Sequence, residues 1–250
     1  MSELIAALPM YDWPECRHEI DAQWRHLRDA LRKQGVNAPE ALTRGGDLQA
    51  LWRSPNLLLA QTCWGPMEAG LSDYVQVVGQ PDYSAFEGGA GTHYSSAIVM
   101  RADMAQKAVA APGDGTARLP LDLMRDERLA FNEALSRSGF LALIQDIKDI
   151  AEDTDLFSEK IETGGHRMSL QAVRDGLADL CAIDCRSWAM AQRFEPDVKR
   201  LCVVGWTARR LGLPYITSFR TDARTLAALR ALLDTAHGGA RLHHGMTGTP

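Results

Sequence analysis

A short turn of hydroxyl, guanidinium and glycine residues is the part of the sequence best suited to hold an anion. It comprises Ser136, Arg137, Ser138 and Gly139. The apolar run before it predicts a strand, and apolar residues at helical spacing follow it. The first amide groups of a helix lack an intrahelical partner, so two hydroxyls and a guanidinium beside them complete a site for an oxyanion. A second interpretation stays open, in which Ser136 or Ser138 only caps the helix.

The elements around this turn predict an α/β fold. Apolar runs that predict strands alternate with helical stripes such as Ile20, Trp24, Leu27 and Leu31. This alternation predicts layered, mixed but mostly parallel sheets with helices on both faces. In open sheets of this kind, ligands bind beyond the carboxyl ends of the strands. Polar turns fall at four such ends, namely residues 11–13, 62–65, 136–138 and 184–187. The sequence therefore predicts a binder of a small polar molecule.

Composition excludes several other classes of protein. The 250 residues carry a net charge of −5, which argues against a nucleic-acid partner. No apolar run reaches the length of a membrane span. The sequence has an odd number of cysteines and no CxxC pair; the cysteines are Cys16, Cys63, Cys181, Cys185 and Cys202. We therefore expect reduced cysteines and no metal site.

Three stretches in a fixed order resemble the phosphonate and phosphate substrate-binding proteins of ABC importers. The first runs from Asn132 to Phe140, the second from Thr163 to Val173, and the third from Gly176 to Asp184. The Thr62-to-Pro66 turn is similar to the first-lobe turn of that family, and the stretch from Tyr94 to Val99 is similar to its Tyr-Ser-apolar strand. The resemblance implies a two-lobed type II periplasmic-binding fold that encloses its ligand between the lobes, without a cofactor.

The resemblance also assigns residues to the ligand. Ser136 and Ser138 match hydroxyls that grip the oxyanion, with the amide groups of Ser138 and Gly139 beside them, and His166 matches a histidine that reaches it. Asp184 falls near the family's amine-binding acid, although it is also placed to cap a helix, and both interpretations stay open. The remaining predicted ligand contacts are Tyr94 as an aromatic wall from the first lobe, Thr62, Trp64 and Tyr11.

Arg137 is a departure from the family pattern, which has a small or hydroxylated residue at this position. It either adds positive charge to the pocket or points into solvent. The second acid that meets an amine in the family has no clear match. We place lobe one at residues 1–101 plus 205–250 and lobe two at 102–204, with the ligand cleft between them.

The function expected from these features is uptake of a phosphonate-like oxyanion, with a small anionic ligand and an ABC permease as partners. The family implies a periplasmic protein, whereas the N-terminus has no basic region followed by an apolar segment, so a cytoplasmic location stays open. The alternatives are a cytoplasmic enzyme or a ligand sensor on the same fold. The sequence contains no GxSxG, P-loop or HExxH motif, which favours a binding protein, and the enzyme stays open as an alternative.

Overall fold

The computed structural model describes residues 3–105, 107–151 and 155–238. The strands are β1 (Ile5–Ala7), β2 (Leu57–Gln61), β3 (Val75–Gly79), β4 (Gly89–Ala90), β5 (His93–Tyr94), β6 (Ser96–Arg101), β7 (Arg128–Phe131), β8 (Glu159–Glu162), β9 (Leu180–Asp184), β10 (Leu201–Trp206), β11 (Arg210–Leu211) and β12 (Tyr215–Ser218). The α-helices are α1 (Arg17–Lys33), α2 (Leu48–Trp52), α3 (Trp64–Glu68), α4 (Leu121–Met124), α5 (Ala142–Ile150), α6 (His166–Arg174), α7 (Cys185–Phe194) and α8 (Ala223–Gly238). A π-helical turn spans Arg137–Leu141, and 3-10 turns span Pro9–Tyr11, Pro14–Cys16, Leu71–Asp73 and Val198–Arg200.

The chain forms two compact units. Unit 1 comprises Met1–Pro81 with Leu213–Pro250, and unit 2 comprises Asp82–Gly212. These boundaries differ from the lobes expected from the sequence, because β6 and β10 belong to the main sheet of unit 2. Residues 82–101 and 205–212 therefore group with unit 2.

Unit 1 is built on a four-stranded sheet in the order β1-β2-β12-β3. β1 and β2 are parallel, whereas β12 is antiparallel to both β2 and β3. The predicted stripe of α1 is buried together with residues of α8 in one hydrophobic cluster. Residues of α2 and α3 join a second cluster, which also contains Ala7 of β1, Leu57 of β2 and Ile216 of β12. Because alternate strand residues face opposite sides, helices cover both faces of this sheet, as predicted.

Unit 2 is built on a five-stranded sheet in the order β10-β6-β9-β7-β8. β8, β7 and β9 are parallel to one another, whereas β6 is antiparallel to its neighbours β9 and β10. Leu143 and Ile147 of α5 pack in the core cluster of this unit, and α6 and α7 contact β6 and β9. β11, β5 and β4 form a small antiparallel sheet of their own.

The sheets are mixed, as predicted, but antiparallel strand pairs outnumber parallel ones. Among the described strands, three named pairs are parallel and six are antiparallel. The expectation of mostly parallel sheets is thus corrected, because β6 runs opposite to its neighbours β9 and β10, and β12 runs opposite to β2 and β3. Within the described ranges, no helix has the length and apolar character needed to cross a membrane.

Candidate functional site

Three strand-to-helix turns meet at one end of the main sheet of unit 2. Because β7, β8 and β9 are parallel, their carboxyl ends lie on the same side of the sheet. The π-helical turn that leads into α5 follows β7, α6 follows β8, and α7 follows β9. A helix start carries unpaired amide groups and a partial positive charge. This end of the sheet therefore offers three such starts to a negatively charged group.

The turn of residues 136–139, called here the oxyanion turn, folds as the start of the π-helical segment. Ser136 is its N-cap, and the Ser136 Oγ atom accepts a hydrogen bond of 3.0 Å from the amide of Gly139. The amide groups of Phe140 and Leu141 both donate to the carbonyl of Ser136. Capping by Ser136, one of the two interpretations of this turn, is therefore present. The hydroxyl of Ser136 still has its own hydrogen to donate.

Gly139 has a structural part in this turn. Its amide donates to the Ser136 cap, and direct contact of Gly139 with a ligand stays a prediction. What Gly139 provides is space, because a Cβ atom built there would lie 1.7 Å from Asn132 Oδ1. The missing side chain allows Asn132 to cover the turn. The Ser138 amide, in the first turn of the helix, is one of the groups left without an intrahelical partner.

Ser138, His166 and Asp184 form a cluster at this end of the sheet, in which Ser138 is hydrogen-bonded to His166 and Asp184 lies at ion-pair distance from the same ring. The Nε2 atom of His166 lies 2.9 Å from Ser138 Oγ and 3.2 Å from Asp184 Oδ2. His166 is the first residue of α6, so the helix start holds its ring near the oxyanion turn. The side chain of Asp184 is 1% exposed and that of His166 is 13% exposed. The structure thus brings together three of the residues predicted from the sequence.

Burial lowers the pKa of His166 below its ordinary value of 6.5. The Asp184 carboxylate and the carbonyl of Ala182 act in the opposite direction, since both favour the protonated ring, but burial has the larger effect. The ring is therefore neutral near pH 7.

Asp184 is the N-cap of α7. Its Oδ1 atom accepts hydrogen bonds from the amide groups of Arg186 at 3.1 Å and Ser187 at 3.0 Å. The capping interpretation of Asp184 is therefore confirmed. Its second oxygen is directed at His166, so one carboxylate connects α7 to the first residue of α6. Direct contact between Asp184 and a ligand stays a prediction.

Two residues at this end of the sheet carry a buried polar atom and were not assigned from the sequence. Asn132 follows β7 directly, and its Oδ1 atom is buried without a hydrogen-bond partner. Ser96 is the register partner of Asp184 across β6 and β9, and its Oγ atom is likewise buried without a partner. Buried polar atoms normally have partners, so these two are candidates for ligand or water contacts. Only their positions at strand ends could have indicated them.

The other predicted site residues lie elsewhere in the units. Thr62 follows β2 in unit 1, and its buried Oγ1 atom has no hydrogen-bond partner. Trp64 begins α3, and Tyr11 is buried at the end of a 3-10 turn, both in unit 1. Their contact with a ligand stays a prediction. Arg137 is half-buried at the start of the π-helical turn.

Tyr94 was expected as an aromatic wall from the first lobe, but it lies in unit 2. It belongs to β5 of the small sheet, and its ring centroid is 5.4 Å from that of Tyr83. The segment after residue 81 pairs with β11, which explains this placement. Within the described part of the chain, His, Cys, Asp and Glu side chains do not gather in groups of three or more that could hold a metal ion.

Comparison with solved structures supports the fold. PhnD1 from Prochlorococcus marinus, solved with methylphosphonate, has a TM-score of 0.67 at 15% identity, covering 92% of this chain and 83% of its own. A phosphonate-transporter binding protein from Pseudomonas aeruginosa has a TM-score of 0.63 at 14% identity, covering 92% and 74%. A Xanthomonas citri protein solved with ATP has a TM-score of 0.65 at 15% identity, covering 98% and 87%. The predicted two-lobed type II periplasmic-binding fold is thus confirmed.

Sequence comparison identifies the family. A search of curated proteins finds no match. The family model described as the periplasmic phosphonate substrate-binding protein of ABC transporters matches residues 68–245, which is most of the chain and includes the oxyanion turn, His166 and Asp184. The chain therefore belongs to the family of phosphonate substrate-binding proteins of ABC transporters.

Proposed function

We propose that this protein is the solute-binding component of an ABC importer and that it binds a small phosphonate or phosphate-like oxyanion at the oxyanion turn of unit 2. Proteins of this family bind a small ligand and work with a permease. The observation that carries the assignment of the site is the meeting of Ser136, Ser138 and His166 where three helices begin. Two hydroxyls and helix-start amide groups are hydrogen-bond donors suited to the oxygens of such a ligand.

The same geometry argues against one kind of enzyme on this fold, a serine hydrolase that would use Ser138 and His166. In a serine hydrolase, the serine and the acid contact different nitrogens of the histidine ring, so that the ring can accept the serine proton. Here both oxygens face the same atom, Nε2 of His166. A nitrogen that donates to the carboxylate cannot also take a proton from Ser138. The cluster is therefore suited to binding and orientation.

Residues of unit 1 and of the small sheet complete the proposal. Thr62 has a buried hydroxyl without a partner at the carboxyl end of β2, which supports a role in ligand contact. We keep Trp64, Tyr11 and Tyr94 as further proposed contacts with the organic part of the ligand. Aromatic side chains suit this role because they combine an apolar surface with a polar group.

Isothermal titration calorimetry with methylphosphonate tests the proposal, using phosphite, phosphate, sulfate and acetate for comparison. We expect binding of phosphorus oxyanions and an affinity loss of about 10- to 100-fold in Ser138→Ala, since a hydrogen bond to a charged group contributes about 1.5–3 kcal/mol. Ser158→Ala is the matched control, because Ser158 is exposed in the same unit and should leave the affinity unchanged. Wild-type affinity in Ser138→Ala would show that the ligand binds elsewhere, and no binding of any oxyanion would contradict the function.

A further inference from the structure

One ring nitrogen in the Ser138–His166–Asp184 cluster faces two oxygen atoms. Nε2 of His166 lies within hydrogen-bonding distance of both Ser138 Oγ and Asp184 Oδ2. The other oxygen of Asp184 already accepts two backbone hydrogen bonds at the start of α7. An ionised carboxylate only accepts hydrogen bonds, so the Asp184 oxygen 3.2 Å from Nε2 favours a hydrogen on that nitrogen. We therefore take the neutral ring as the Nε2–H tautomer, whose Nδ1 atom carries no hydrogen.

This tautomer determines what Ser138 can do. Its Oγ atom can accept from His166 but cannot donate to a nitrogen that already carries a hydrogen. The hydroxyl hydrogen of Ser138 is consequently left for another acceptor, such as a ligand oxygen. On the other side of the ring, Nδ1 of His166 is buried and has no hydrogen-bond partner. It is the atom that can take up a proton.

An oxyanion bound at Ser138 would place a second negative charge beside the ring of His166, in addition to Asp184. Asp184 is the ionised side chain that acts on the ring among the described residues. The cations nearest in sequence to the cluster are Arg137 of the oxyanion turn, Arg167 and Arg186. Arg167 pairs with Glu195, and the guanidinium of Arg186 lies 6.0 Å from the Phe86 ring centroid. An anion held by Ser138 therefore adds to the effect of Asp184, because a nearby negative charge favours the protonated ring and raises the pKa of His166.

We propose that oxyanion binding is coupled to the uptake of one proton by His166, so that the occupied site holds an imidazolium ring beside both the ligand and the Asp184 carboxylate. The proton comes from solvent and is bound at Nδ1, which gives the ring a charge of +1 without breaking any other bond. The inference rests on the proposed function. It predicts that the site selects oxyanions whose negative charge is balanced by the positive charge of the protonated ring. It also predicts that the affinity of the protein for these oxyanions increases as the pH falls through the neutral range.

Calorimetry in buffers of different ionisation enthalpy measures the protons taken up for each methylphosphonate bound. The protein is compared with His166→Gln, in which the amide can still donate to Asp184 but cannot titrate. Protonation of the ligand itself contributes to both proteins, so the difference isolates His166. We expect the wild type to take up more protons than the variant, by up to one per ligand, between about pH 6 and 8. His93→Gln, which changes an exposed histidine of unit 2, should behave as wild type.

Equal proton uptake in wild type and His166→Gln would overturn the inference while leaving the proposed function intact. If His166→Gln binds too weakly to measure, NMR titration of the histidine rings of the wild type decides the question. The pKa of the His166 ring should then be higher with saturating methylphosphonate than without it, and an unchanged pKa overturns the inference. Failure of the wild type to bind any oxyanion would instead overturn the proposed function, and this inference with it.

Discussion

At the scale of single residues, Gly139 and Asn132 act as a pair. Asn132 leaves β7 and covers the backbone of Gly139, where an added Cβ atom would lie 1.7 Å from Asn132 Oδ1 and 3.1 Å from Ser136 Oγ. The same glycine donates its amide to the Ser136 cap. Any side chain at this position must displace Asn132 or the cap. The conformation of the oxyanion turn therefore depends on the absence of one carbon atom.

Gly139→Ala should lower the free energy of unfolding by about 1–3 kcal/mol, the usual cost of overpacking, and should weaken oxyanion binding. Urea denaturation and calorimetry measure the two effects. Gly113→Ala is the control, because a Cβ atom there meets nothing within 4 Å, and its effect should stay within about 0.5 kcal/mol. If Asn132 is the obstacle, Gly139→Ala should cost less when introduced into Asn132→Ala. An equal cost in both backgrounds would contradict this explanation.

The sequence predicted some features of the site and not others, for a physical reason. The strand, the turn and the helical spacing around Ser136 are local patterns, and all three are present. The shared contact of His166 with Ser138 and Asp184 joins three elements that are far apart in the chain, so no local pattern contains it. The unpartnered atoms of Asn132 and Ser96 are likewise visible only after the strands have paired.

At the scale of elements, an ionic cluster connects the amino ends of β7 and β9, opposite the candidate site. Asp179 accepts hydrogen bonds from the Arg128 guanidinium at 2.8 and 2.9 Å and from the Arg128 amide at 3.0 Å, and Arg101 lies 3.7 Å away. The Arg128 side chain also donates to the carbonyl of Gly176, just beyond α6. The cluster thus connects β7 to the α6–β9 connection.

Hydrogen bonds from Arg128 lower the pKa of Asp179 from 3.8 to about 2. A lowered pKa in the folded state means that the ionised form stabilises the fold above about pH 4 and that this stabilisation is lost between about pH 4 and 2. The difference of about two pKa units corresponds to about 2 kcal/mol. The neighbouring Glu127 acts oppositely, since burial and the charge of Asp179 raise its pKa.

Asp179→Asn should therefore be about 2 kcal/mol less stable than wild type at pH 7, with the difference shrinking as the pH falls from 4 to 2. Urea denaturation at a series of pH values measures it. Asp175→Asn removes an exposed partner of Arg174 and serves as the control, with an effect of at most about 1 kcal/mol. A stability difference for Asp179→Asn that does not change with pH would mean that the charge of Asp179 has no part in it.

The pairing of the strands shows which features a local sequence pattern cannot predict. The stripe of α1, from Ile20 to Leu31, was predicted and is buried as expected, because helical spacing is a local property. The direction of a strand is not local. β6 and β9 are both buried apolar runs, yet they are antiparallel, whereas β7 and β9 are parallel. Only the path of the chain between two strands decides this, so the share of antiparallel pairs was underestimated.

At the scale of the whole molecule, the two units differ in how the chain builds them. Unit 2 is one continuous segment, Asp82–Gly212, whereas unit 1 is assembled from both ends of the chain. In unit 1 the late strand β12 lies between β2 and β3 and contributes Tyr215 and Ile216 to the two hydrophobic clusters of that unit. A segment that ends before β12 therefore lacks the middle of its sheet.

The continuous segment 82–212 should fold by itself, because it contains a complete five-stranded sheet with its own core cluster. The segment 1–81 should not, since among the described strands β2 and β3 are joined only through β12. Circular dichroism with urea denaturation measures both, and we expect a cooperative transition for 82–212 and none for 1–81. As the control, 213–238 joined to 1–81 by a flexible linker should restore a cooperative transition, because it returns β12 and α8. A cooperative transition of 1–81 alone would contradict the central role of β12, and its absence in 82–212 would show that unit 2 depends on the rest of the chain.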